Sequence, residues 1–212
     1  MAVVIPPSAF LNELVTSIIT LFVILDPIGV LPFFLGLTQG ISSLQRRKLA
    51  SRAVLIAMAL LLVFAYLGDG ILIFLGIQIY DFEIAGGTLL LIFALRDALS
   101  NEPLGVQESS AGVEKGRALE SIAVIPIATP LLAGPGSLTT VMLLTKEQYG
   151  LAASLVAILV NCLIAWSALR LSSTINQRVG PTGLMIIGKV MDILMAAIAV
   201  SYLTRGVTSL GL

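Results

Sequence analysis

Apolar residues run along this chain in long blocks, not at alternate or every-third positions. Blocks fall at about 10–37, 49–67, 82–99, 122–145, 151–171 and 182–207. Each is near the ~20 residues that an α-helix needs to cross a hydrocarbon core of ~30 Å. Backbone in hydrocarbon must satisfy its own hydrogen bonds, so the blocks predict helices. The expected fold class is an all-α membrane protein of about six transmembrane helices. A further stretch, 70–79, is too short to span and reads as a re-entrant or interfacial piece. Between the third and fourth blocks, 100–120 is polar and rich in Glu, Ser and Gly.

Composition strengthens this reading. The 212 residues are 58% hydrophobic and 11% charged, with mean hydropathy +1.05. A soluble domain carries about 25% charged residues, so this chain lacks the material for a water-facing surface. No separate soluble domain is expected. Formal net charge is zero, and nothing suggests a nucleic-acid partner. There is no histidine and a single cysteine, Cys162. Metal sites of the zinc, haem and iron–sulfur kinds are therefore not expected, nor is any other cofactor. Histidine-based triads and proton relays are excluded. The first ten residues hold no basic side chain, so the first block is expected to be kept as a span and not cleaved as a signal peptide.

Charge also orients the spans. Arg46, Arg47, Lys48 and Arg52 follow the first block, Lys115 and Arg117 the third, and Arg170 and Arg178 the fifth. The other side holds Lys146 and Arg205. Basic residues in short loops stay cytoplasmic. The chain is thus expected in the cytoplasmic membrane with both termini outside.

The blocks divide into two halves. Residues 1–101 form a first three-helix repeat, 102–119 a polar connecting loop, and 120–212 a second repeat. In each half the first block is interrupted by Pro and Gly. Leu35-Gly36-Leu37-Thr38 resembles Met142-Leu143-Leu144-Thr145, an offset of 107 residues. Gly86 to Ala94 resembles Met191 to Ala199, an offset of 105. With an odd number of spans per repeat, the second copy inserts upside down, as in many secondary transporters.

The interruptions carry the candidate chemistry. In Leu25-Asp26-Pro27-Ile28-Gly29-Val30-Leu31-Pro32, each proline costs about 3 kcal/mol inside a regular helix. A mid-span acid adds about 2.5–3.5 kcal/mol on insertion scales. Such a segment persists where its freed backbone groups line a polar cavity; the plainer alternative is a kinked helix with Asp26 paired structurally. Its counterpart is Pro130-Leu131-Leu132-Ala133-Gly134-Pro135-Gly136-Ser137-Leu138-Thr139-Thr140. Here Ser137 is expected to cap the following half-helix, whose N-terminus would favour a carboxylate. Thr139 and Thr140 add hydroxyls. The plainer alternative is a proline hinge. Together the breaks suit a zwitterion. Its carboxylate would sit on N–H groups of Gly136 and Ser137 and their mates at Ile28 and Gly29. Its ammonium, or a coupling cation, would sit on Asp26 and freed carbonyls. Glycine-lined walls favour a small substrate. Gly86 and Gly87 read as a close helix approach or as lining. Asn161 reads as helix glue or lining. Asp192 lies one turn from Lys189 on the same face, as a structural pair or on the pathway.

Leu25 to Pro32, Pro130 to Ser137, Ala85-Gly86-Gly87-Thr88-Leu89-Leu90-Leu91 and Ala196-Ala197-Ile198-Ala199-Val200 resemble motifs of the MarC family of bacterial and archaeal membrane proteins. The resemblance covers nearly the whole chain. It implies six helices and transport of small neutral amino acids such as glycine and alanine. The family's broken-helix motifs map onto Asp26, Pro27, Gly29 and Pro32, and onto Gly134, Pro135, Gly136 and Ser137. The chain departs from the pattern at Asp97, where an apolar residue such as Met is usual, and at Asp192, where a glycine is usual.

The expected function is a secondary transporter working by alternating access, with H⁺ and Na⁺ both open as coupling ion. The partners are a small neutral amino acid and the bilayer, and a homo-oligomer is left open. An ion channel or another small-solute exporter is the alternative. An intramembrane protease using Asp26 with Asp192 or Asp97 has no support in the flanking sequence. No phosphate-binding loop of the G-x-x-x-x-G-K-[ST] type is present, so ATP drive within the chain is not expected, and neither is an enzyme.

Overall fold

The structure, a computed structural model, describes residues 7–38, 41–99, 132–146 and 150–211. Among them are seven helices and no strand. In chain order these are α1 Pro7–Leu25, α2 Val30–Leu37, α3 Ser43–Leu75, α4 Ile79–Leu99, α5 Pro135–Leu144, α6 Gly150–Arg170 and α7 Ser172–Ser209. Pro130 and the polar segment 100–120 lie outside the described residues.

Three helices are long and apolar enough to cross a bilayer: α3 over Ser43–Gly68, α6, and α7. The pair α1 and α2 meets the same criterion as one broken span, bent by 42°. The outward faces agree. Leu55, Val63, Leu67, Phe74, Leu159, Leu163, Ile186 and Ile193 are exposed, while Ser17, Thr38, Ser154 and Asn161 are buried. An exposed apolar surface of that extent suits acyl chains, not water. The chain is a multi-pass helical membrane protein.

Several boundaries differ from those expected. Residues 70–75 are not a separate re-entrant piece; they continue α3, which ends where Gly76 takes the left-handed conformation (φ 68°). Glycine reaches that region without steric cost. The third block is helical as α4, but with Asp81, Glu83, Arg96 and Asp97 it is not among the helices apolar enough to cross a bilayer. Only the last part of the fourth block is described, as the ten residues of α5. The sixth block starts earlier than 182: α7 begins at Ser172 and is kinked at Gly180 (φ 76°, ψ 162°), just before Pro181. Pro181 disfavours a helical conformation in the residue before it.

Local sequence explains the other ends. Ser42 and Gln45 form a reciprocal capping box at the start of α3. Both short helices end on a threonine. Thr38 closes α2 and its hydroxyl donates to Phe34 O at 2.6 Å; Thr145 closes α5 and its hydroxyl donates to Met142 O at 2.7 Å.

Packing sorts the buried apolar residues into two clusters, and α1, α5 and α7 contribute to both. The larger core joins Leu21, Leu31 and Phe34 to Ala50, Ala53 and Ala57 of α3 and to Ala157, Ile158 and Ala165 of α6. Small residues at these spacings let α3 and α6 approach closely. Trp166 of α6 donates to Ser51 Oγ of α3 at 2.9 Å. The smaller core joins Ile24, Leu90, Leu143, Ala199 and Tyr202, from α1, α4, α5 and α7. The α4–α7 contact is the most extensive among the described helices. The half-helix α2 packs on α7 and α6, and α5 packs on α4 and α3.

Candidate functional site

The first break follows from its proline. Asp26 N–H still reaches Phe22 O at 3.0 Å, as in a helix. Pro27 then has no N–H to offer Val23. Asp26 turns to φ 40°, the one positive φ on a non-glycine among the described residues. Aspartate tolerates this region better than most residues. Its carboxylate Oδ1 accepts the Gly29 N–H at 3.0 Å, and its carbonyl accepts the Val30 N–H at 3.1 Å. Asp26 thus acts as the cap of the turn that launches α2, with Pro27 at the favoured first position. This corrects the expectation that Gly29 offers its N–H to a ligand: that donor is already held by Asp26. Asp26 is buried, 9% exposed.

The second break is built differently. Gly134, in extended conformation (φ −77°, ψ 173°), is the N-cap of α5, Pro135 occupies the first turn, and no side chain caps the helix. Ser137 is therefore not the cap expected from sequence; it lies inside the first turn. Leu138 N–H makes the bond to Gly134 O, at 3.0 Å. The N–H groups of Gly136 and Ser137 precede it and have no carbonyl below them in the helix. Ser137, Thr139 and Thr140 are all buried.

The start of α5 lies against the end of α1. A Cβ built on Gly136 would overlap Leu90 of α4 and lie 3.8 Å from Ile24 of α1, two residues before Asp26. From the other side, a Cβ on Gly188 of α7 would lie 3.8 Å from Gly29 Cα. Asp192, one turn beyond Gly188, is buried. Lys189 donates to Ala98 O at 2.9 Å, tying α7 to the end of α4. Gly86 sits against the Thr139 side chain, and Gly87 against the Ala199 carbonyl of α7. A side chain at either glycine would force α4 away from α5 or α7.

Asn161 belongs elsewhere. Its amide donates to Ile18 O at 3.1 Å and Ala157 O at 2.9 Å, joining α6 to α1 two turns before the break. That is the gluing role. The side chain of Asp97 lies outside the described residues.

One group escaped the sequence reading. Glu83 on α4 is buried, and its Oε1 lies 3.6 Å from Arg205 Nε of α7. With Lys146 it lines a cleft of 630 Å³ at the ends of α4, α5 and α7. The available signal was an acid inside an apolar block, one turn before Gly86-Gly87. One turn deeper than the cleft, Tyr202 OH lies 3.5 Å from Thr140 Oγ1. No group of three or more His, Cys, Asp or Glu side chains placed to hold a metal occurs among the described residues.

The chain is similar along nearly its whole length to several membrane proteins. It is 33% identical over 200 residues to the UPF0056 membrane protein MJ1677 of Methanocaldococcus jannaschii, covering 93% of this chain and 97% of that one. It is 34% identical over 203 residues to a UPF0056 membrane protein of Archaeoglobus fulgidus, covering 94% of each. It is 29% identical over 201 residues to the UPF0056 inner membrane protein YhgN of Escherichia coli, covering 93% of this chain and 97% of that one. No solved structure matches. The profile of the MarC family integral membrane proteins matches residues 11–210. The interrupted α1–α2 span, the Gly-Pro-Gly start of α5 and this match agree: the chain belongs to the MarC family.

Proposed function

We propose that the chain is a secondary transporter of small neutral amino acids of the glycine and alanine type. One observation carries the reading. The interrupted α1–α2 span bears a buried carboxylate, and α5 begins against the end of α1 at an N-terminus without a side-chain cap. The substrate carboxylate would sit on the Gly136 and Ser137 N–H groups, where the helix dipole favours negative charge. Thr139 and Thr140 lie further along α5 and would supply hydroxyls. The ammonium would sit near Asp26, whose second carboxylate oxygen lies on the Gly29 side of the turn. Gly29 does not bind the carboxylate, because its N–H is already held by Asp26. Asp192, buried a turn from Gly188, is a candidate for ion coupling by H⁺ or Na⁺.

Alternating access needs two elements that exchange places, and an inverted repeat supplies them. Support comes from matched contacts: α2 lies on α7 and α6, and α5 lies on α4 and α3. Under an offset near 107, these pairs interchange. So do the threonine ends of α2 and α5. Helix length agrees as well. At 1.5 Å per residue, the ten residues of α5 cover about 15 Å, half the hydrocarbon thickness. A half-helix ending at the surface therefore starts near the midplane.

Uptake into proteoliposomes tests the proposal, with labelled glycine, alanine and larger amino acids, and with H⁺ or Na⁺ gradients imposed. Saturable uptake with counterflow of the small neutral amino acids is expected. Ohmic current without counterflow would identify a channel instead.

A further inference from the structure

We propose that the cleft at the ends of α4, α5 and α7 is an entry site that selects zwitterionic amino acids; this deepens the transport reading and rests on it. The cleft's 630 Å³ falls within the ~300–1,000 Å³ of small-ligand sites. Its charges are arranged in opposition. Glu83 lies on the α4 wall with its side chain 7% exposed, and Arg205 faces it from α7 with its side chain 55% exposed. Lys146 joins from just beyond α5.

Glu83 is held in place from behind. Gly206 packs so tightly there that a Cβ would lie 2.9 Å from Tyr80 O and 3.2 Å from Glu83 Cβ. The C-terminal end of α5 also points at the cleft, and the last carbonyls of a helix favour a cation. An ammonium therefore belongs beside Glu83 and the α5 terminus, and a carboxylate beside Lys146 and Arg205. A zwitterion entering the Glu83–Arg205 pair replaces one ion pair with two. A simple anion would take Arg205 from Glu83 and leave that largely buried carboxylate without compensation, which is strongly unfavourable, whereas a simple amine would exchange one ion pair for another and gain none.

The cleft and the start of α5 lie at opposite ends of one packed cluster: Leu143, in the cleft lining, shares it with Ile24 and Leu90, the residues that meet Gly136. By helix direction the cleft opens on the face opposite Arg46, Arg47 and Lys48.

Thiol protection tests the site without requiring transport. Thr208 lines the cleft and is exposed, whereas the native Cys162 is buried and stays silent. Purified Thr208→Cys in nanodiscs is labelled with a charged, water-soluble thiol reagent. L-Alanine is expected to slow labelling at least threefold, with propionate and propylamine having no effect at the same concentration. Glu83→Gln should abolish the protection. Lys146→Gln, at an exposed position that does not threaten folding, should weaken it at least threefold. Absence of protection by alanine, equal protection by propionate, or full protection in Lys146→Gln would overturn the proposal. Alanine uptake measured on the same protein separates the two readings. Uptake without protection rejects the entry site alone. Protection without uptake supports the site and rejects the transport reading.

Discussion

The Gly29 N–H donates to the Asp26 carboxylate at 3.0 Å, across the turn where the first span is interrupted. This bond gives Asp26 two separable roles, cap and charge. An amide side chain keeps the acceptor and removes the charge. Asp26→Asn is therefore expected to fold with a melting temperature close to that of the parent, while alanine uptake falls at least tenfold. Asp26→Ala removes the cap and is expected to lose about 0.5–2 kcal/mol of stability. Thermal unfolding in detergent beside proteoliposome uptake checks both. Equal melting losses in Asn and Ala would show that the cap contributes nothing.

Gly136 is small because Leu90 occupies the space a side chain would need. Gly136→Ala is expected to cost about 1–3 kcal/mol through overpacking. Because the overlap is with the Leu90 side chain and the neighbouring Ile24 is 3.8 Å away, Leu90→Ala should relieve it. The double variant is expected to be more stable than the sum of the two single changes predicts, by a coupling of about 0.5–3 kcal/mol. A double-mutant cycle on unfolding midpoints measures this. Strict additivity would mean that Gly136 is not against Leu90.

Gly180 is a backbone matter. Its φ of 76° and ψ of 162° fall in a region that is essentially restricted to glycine, and a Cβ there meets nothing within 4 Å. Gly180→Ala is expected to cost about 1–3 kcal/mol from strain alone. Gly70→Ala, inside α3, is the control, since a Cβ there also meets nothing within 4 Å. Equal stability of the two variants would contradict the kink.

The interruptions were legible because proline and glycine act locally. Pro27 and Pro135 remove donors wherever they stand, so both breaks could be placed before any contact was known. The identity of the caps was less legible. Ser137 has the better capping side chain, yet Pro135 takes the first helical position, which leaves Gly134 as the cap. Conversely, the Asp26-Pro27 pair already had the form of a cap and first turn. The length of α3 is less legible: 70–79 alone is too short to span, whereas residues 70–75 prolong a helix that runs until Gly76. Glu83 was invisible for a different reason. Its meaning depends on Arg205, far along the chain, and only the packing of α4 on α7 brings the two together.

The account turns on whether Asp26 and the start of α5 hold opposite ends of one ligand. Calorimetric titration of the purified protein in nanodiscs with alanine and with propionate tests this most directly, using Glu83→Gln throughout to silence the entry cleft. With Asp26 intact, alanine is expected to bind at least tenfold more tightly than propionate; with Asp26→Asn the two should bind equally. An undiminished preference for alanine in Asp26→Asn would contradict the account.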